Sequence, residues 1–233
     1  MMKKIILVLL ASSFVIGCSS GSKETDSQRF MTFTSGQTAG DSTSFYWYTE
    51  RLDMPYSAAD VVTSGDYGWY QSNYRWRENS VKEIVREGTT LQTSNELVPF
   101  KVHLRFNQDG EAVYQQYRLD GKVLPFTPKQ ITQLKNEAMS VKISTEVGSK
   151  NGVKLIQGYW DGEQFTDCSG NEYDRIEFNQ TLPSFVVNRL ASLDSYAAFT
   201  GSNFVGKLVV TDLLMLDDDD HECVMRPILI EEQ

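Results

Sequence analysis

Every second residue of FKVHLRF, residues 100–106, is apolar: Phe100, Val102, Leu104 and Phe106 face one way, and Lys101, His103 and Arg105 the other. A period of two is the period of a strand, and it fits a sheet with one covered face and one wet face. The turn NQDG (107–110) follows, with a glycine to take a positive φ, then EAVYQQYRL (111–119), then Asp120-Gly121 and KVLPF. Tight turns of this composition reverse the chain between neighbouring strands, so these segments are expected to form an antiparallel meander.

The same texture of β-branched and aromatic runs broken by turns begins at Ser44. GWYQSNYRWRE (68–78) puts Tyr70, Ser72, Tyr74 and Trp76 on one face and Gln71, Asn73, Arg75 and Arg77 on the other, with VKEIVREG and TTLQTS expected to pair with it. Further strand candidates are VKLIQGYW (153–160), NEYDRIEF (171–178), GKLVVTDLLML (206–216) and CVMRPILI (223–230). KLVVTDLLML is apolar on both faces and is expected to lie centrally. Two helices interrupt. Thr127-Pro128-Lys129-Gln130 has the form of a capping box with proline at the first helical position, and Ile131, Leu134, Ala138 and Val141 recur at helical spacing until GSKNG (148–152). Thr181 is the expected cap of a shorter helix, LPSFVVNRLASL (182–193). The expected fold class is α+β: a mainly antiparallel, curled or barrel-like sheet with two helices packed on it.

The first 17 residues are of another kind. Two lysines precede an uninterrupted aliphatic run, Ile5–Leu10, which Ala11–Ile16 extends with two serines. The run is shorter than the ~20 apolar residues a membrane-spanning helix needs and reads as a secretory signal peptide, residues 1–17. Its end, Val15-Ile16-Gly17-Cys18, resembles the lipobox of bacterial lipoprotein precursors. That resemblance implies that Cys18 becomes the first mature residue and the site of lipid attachment. Ser19, where an Asp would retain such a protein in the inner membrane, implies the outer membrane, facing the periplasm. The alternative is an ordinary secretory signal with a chance cysteine. Residues 18–43, rich in Ser, Thr, Gly and charge apart from RFMTF, are expected to be a flexible tether, and residues 44–233 a single globular β-rich domain.

Without the signal, residues 18–233 keep 20 Lys and Arg against 31 Asp and Glu. That balance argues against a nucleic-acid partner and against electrostatic attachment to anionic lipid, so the membrane partner would be held through the N-terminal lipid. Cys168 and Cys223 are the two cysteines left after Cys18. In an oxidising compartment such a pair is expected to form a disulfide, with two free thiols as the alternative.

SFYWYTERLDMP, SGDYGWYQSNYRWR, RFNQDGEAVYQQYRLDGKVLPF and DCSG resemble strings of a family of Gram-negative envelope lipoproteins classed as a domain of unknown function. The resemblance spans most of residues 44–230 and implies a periplasmic lipoprotein with no assigned activity.

No residue is singled out as catalytic, and no cofactor or metal is implied. Motifs for a nucleophile elbow, a zinc protease, a P-loop and a dinucleotide fold are absent from the sequence. His103 reads as a solvated strand residue, and His221 follows an acidic run. LDDDDHEC (216–223) lacks the calcium-loop pattern and reads as a solvated hairpin loop between two apolar strands. Aromatic residues crowd positions 45–76. Of these, Trp47, Trp69, Tyr74 and Trp76 are candidates for binding a glycan or an envelope protein, although such rings are first expected as sheet core. Asp161 and Glu163 in WDGEQF are candidates for paired carboxylates, though DGE is first a turn. The leading expectation is a non-catalytic binding or accessory lipoprotein of the envelope. The alternative is a carboxylate-dependent hydrolase acting on glycan or peptidoglycan.

Overall fold

The computed structural model describes residues 30–179 and 181–230. Cys18, the expected site of lipid attachment, and the expected signal peptide lie outside them. The first half is an eight-stranded antiparallel meander in simple chain order: β1 (Phe30–Ala39), β2 (Ser42–Arg51), β3 (Met54–Thr63), β4 (Gly68–Arg77), β5 (Ser80–Leu91), β6 (Leu97–Phe106), β7 (Ala112–Leu119) and β8 (Lys122–Leu124). Next come helix α1 (Pro128–Lys150), then β9 (Lys154–Trp160), β10 (Phe165–Asp167), β11 (Glu172–Tyr173) and β12 (Arg175–Phe178). Helix α2 (Ser184–Ser192), β13 (Ser195–Phe204) and β14 (Lys207–Asp218) complete the elements. The second sheet has the order β11-β10-β9-β13-β14-β12, antiparallel except for β12 beside β14. The fold is therefore α+β with curled sheets. Among the described residues no helix is long and apolar enough to cross a membrane.

The alternation in FKVHLRF builds β6 as the sequence indicates, and Asp120 and Gly121, both at positive φ, turn β7 into β8. The expected capping box forms: Thr127 Oγ1 accepts from Gln130 N while Gln130 Oε1 accepts from Thr127 N. Leu134, Ala138 and Val141 of α1 bury against Tyr48, Tyr74, Trp76, Ile84, Leu104 and Phe106, the main core. The opposite face of the first sheet receives the second sheet, with Phe45, Trp47 and Ala59 packed on Tyr196, Ala198 and Leu214. Gly36 permits that approach, since a Cβ there would lie 2.4 Å from Leu214 Cδ1.

Several sequence expectations change. Residues 30–39, assigned to the tether, pair along their whole length with β2, so the sheet begins well before Ser44; Phe33 packs on the core that the polar neighbours of RFMTF disguised. VKEIVREG and TTLQTS are one continuous strand, β5. Helix α2 starts at Ser184 with Pro183 at its cap position and no side-chain cap bond. Proline disfavours helical backbone at the residue before it, so Leu182 cannot extend the helix back to Thr181. CVMRPILI joins neither sheet. It crosses the outer face of the first sheet as a strap, and Pro227, without an N–H, suits it poorly to a ladder. The acidic run 217–220 consequently leads from β14 into this strap, with Arg189 and His221 within ion-pair distance of Asp218 and Asp217.

The strap is tied by side chains. Asn73 Nδ2 donates to Pro227 O (2.9 Å), and its Oδ1 accepts from Leu229 N and Ile230 N. Arg226 donates to Thr49 Oγ1 and Ser57 Oγ, and Gln157 exchanges two hydrogen bonds with the backbone of Val224. Cys168 and Cys223 form the expected disulfide, joining the strap to the loop after β10.

Candidate functional site

The face of the first sheet that looks at α1 carries charge in its core. Period two places Tyr70, Ser72 and Tyr74 of β4 beside Asp60 of β3 and Arg86 of β5, and across from them α1 supplies Glu137. Asp60 is 2 % and Arg86 7 % exposed. The two do not touch directly. Tyr74 Oη donates to Asp60 Oδ2 (2.8 Å) and accepts from Arg86 Nη2 (2.9 Å), while Arg86 Nε donates to Ser72 Oγ (2.8 Å). The guanidinium carbon lies 4.0 Å from the centre of the Tyr70 ring, a cation–π contact. Glu137 Oε2 comes within 2.7 Å of Arg86 Nη2, but outside hydrogen-bonding geometry, so the contact is an ion pair rather than a directed bond. Arg86 Nη1 has no acceptor among the described residues.

Burial raises the Asp60 pKa, against the opposing charge of Arg86 and the hydroxyls of Ser72 and Tyr74; its Oδ1 has no hydrogen-bond partner among the described residues. The folded chain thus holds this proton to higher pH than the unfolded chain, which releases it near pH ~4. Its stabilising contribution is complete below that pH and is lost as pH rises through the higher folded-state pKa. Asp60→Asn removes this titration. The stability of the natural chain relative to this variant is expected to fall as pH rises above about 4, read from urea midpoints of both. A gap that stays constant with pH would contradict the raised pKa.

Beside this cluster, between α1 and β5–β7, opens a cleft of about 340 Å³. Arg86, Glu137, Gln130 and Gln133 form its polar side, and Phe100, Tyr117 and Phe126 its apolar side. The volume is at the lower end of the ~300–1,000 Å³ usual for small-molecule sites. Two other hollows are larger. One, about 440 Å³, borders the strap, and its Asn73 and Arg226 are already engaged by backbone and hydroxyls. The other, about 430 Å³, is a shallow depression on the outer face beside Trp69, where Lys101 and Glu87 pair with each other. The helix–sheet cleft alone of the three adjoins a buried cation with an unbonded nitrogen.

The aromatic candidates scatter over both faces. Tyr74 and Trp76 are core under α1, Trp47 is core between the sheets, and Trp69 is 43 % exposed on the outer face. Only Tyr74 enters the polar cluster, through its hydroxyl. Asp161 and Glu163 stand on an exposed turn, where Asp161 accepts the backbone N–H groups of Glu163 and Gln164; those two bonds lower its pKa. His103 is more than a solvated strand residue: Glu83 of β5 bonds its Nε2 at 2.8 Å and the Tyr114 ring packs on it. His221 stacks on Tyr196. Among the described residues no three His, Cys, Asp or Glu are grouped to hold a metal ion.

Asp60, Arg86 and Glu137 escaped the sequence reading. One signal pointed to them. Asp60 alternates with Ala58 and Val62, and Arg86 with Ile84, so each charge occupies an apolar face. That signal is weak because both faces of these strands are partly apolar.

No curated protein and no solved structure matches the chain. The family described as protein of unknown function (DUF1481) matches residues 34–228, from β1 into the strap, and the chain belongs to that family.

Proposed function

We propose that this chain is a lipid-anchored lipoprotein of the outer membrane, facing the periplasm, that binds a ligand in the cleft between α1 and β5–β7 without transforming it. The observation that carries the binding role is Arg86, a buried cation at the edge of a cleft of ligand size, with one nitrogen that has no acceptor among the described residues. The anchor rests on Val15-Ile16-Gly17-Cys18. The disulfide supports an oxidising compartment. A non-catalytic role is supported by Asp60, whose carboxyl is sealed in the core, and by Asp161, which is occupied in a turn.

Intact mass spectrometry of the protein extracted from its own envelope tests the anchor. The expected mass is that of residues 18–233 with acyl chains added and two protons removed for the disulfide. Cys18→Ala is expected to abolish the acyl mass. An unacylated natural chain would refute the anchor.

A further inference from the structure

Arg86 is always ionised, and a buried cation requires a counter-charge. With Asp60 screened behind Tyr74, the carboxylate that contacts Arg86 directly is Glu137. Glu137 meets Arg86 through Oε2, which is buried and makes no hydrogen bond of its own. Its side chain is 30 % exposed against 8 % for Arg86, its contact is off the hydrogen-bond axis, and its Oε1 is separately satisfied by Gln133 Nε2 at 2.9 Å. It can leave the guanidinium and remain hydrogen-bonded on its own helix, in reach of water.

We infer that the cleft takes a small amphiphilic carboxylic acid, its carboxylate on Arg86 and its apolar body against Phe100, Tyr117 and Phe126; this rests on the cleft being the ligand site. A carboxylate arriving there meets Arg86 Nη1 unbonded and replaces Glu137 as counter-ion. Gln130 adds a neutral donor, because the capping box takes its Oε1 and leaves its Nε2 without an acceptor among the described residues. The apolar side offers the Tyr117 and Phe126 rings, 5.4 Å apart. A single negative charge fits better than a phosphate. One cationic nitrogen is open, and a dianion would crowd the Glu137 carboxylate at the cleft's edge.

Octanoate and its neutral isostere octanamide separate the terms. Each is titrated into the protein while the Arg86 Nε–H and Phe126 ring signals are followed by NMR. Octanoate is expected to shift both signals saturably and to bind at least about tenfold tighter than octanamide, the worth of one charge-assisted hydrogen bond. Glu137→Gln removes the resident competitor and is expected to tighten octanoate several-fold while leaving octanamide unchanged. If the two bind equally, or if Glu137→Gln weakens octanoate, the acid is excluded and the cleft stands as a ligand site of another chemistry. If neither shifts these signals, the acid and the cleft reading fall together, and the lipid anchor, tested by mass, is untouched.

Discussion

Arg86→Met is expected to lower the stability of the folded chain by about 3–5 kcal/mol, the usual result of removing one partner of a buried charge pair. The reason lies in what stays behind. Asp60 Oδ1 already lacks a hydrogen-bond partner among the described residues, and without the guanidinium Ser72 Oγ and Tyr74 Oη each lose a charge-assisted donor. Methionine fills much of the volume, so the loss is electrostatic more than steric. The double variant Arg86→Met/Asp60→Leu tests that cause. Removing both charges leaves no uncompensated carboxyl, and the pair is expected to recover a large part of the loss. Urea unfolding of the natural chain, the two single variants and the double variant measures the coupling. If Arg86→Met costs less than about 1 kcal/mol, within the range of surface ion pairs, the cluster is not the buried network described.

Cys168→Ser/Cys223→Ser is expected to cost roughly 2–4 kcal/mol, since the bond closes a long loop and restricts the unfolded chain. It should also have a local signature. Cys223 anchors the near end of the strap, and beyond it the chain is held by Arg226 and Asn73. Amide exchange at Val224, whose N–H bonds Gln157 Oε1, is expected to quicken most. Asn73→Ala is the complementary variant. It frees Leu229 and Ile230 and leaves the disulfide closed, so exchange should quicken at the far end first. A thermal midpoint that does not move on reduction, with Val224 still protected, would show that the strap is held by its hydrogen bonds alone.

Short-range pattern made some elements legible and hid others. The β6–β8 meander was readable because alternation and turn residues agree, and α1 because its capping box, its proline and its apolar spacing coincide. β1 was hidden: only Phe33 and a few small side chains of a Ser- and Thr-rich segment meet the core, and composition alone resembles a linker. CVMRPILI misled in the other direction. Its β-branched, apolar composition suits an extended chain, but it is held by the side chains of Asn73 and Gln157, and by its own Arg226 on the Thr49 and Ser57 hydroxyls, rather than by a neighbouring strand.

The sequence by itself determined the class of the fold, the meander, the main helix and the cysteine pair, because each rests on periodicity or composition within a few turns of chain. The cleft was decided by the tertiary structure. Asp60, Arg86 and Glu137 are 26 and 51 residues apart in succession, and each reads locally as an ordinary charge on a strand or helix. Register across β3, β4 and β5 brings the first two to one face, and the packing of α1 on that face closes water away from them. Desolvation turns Asp60 and Arg86, two common side chains, into a buried polar cluster, and desolvation is a property of the assembled layers, not of any segment within them.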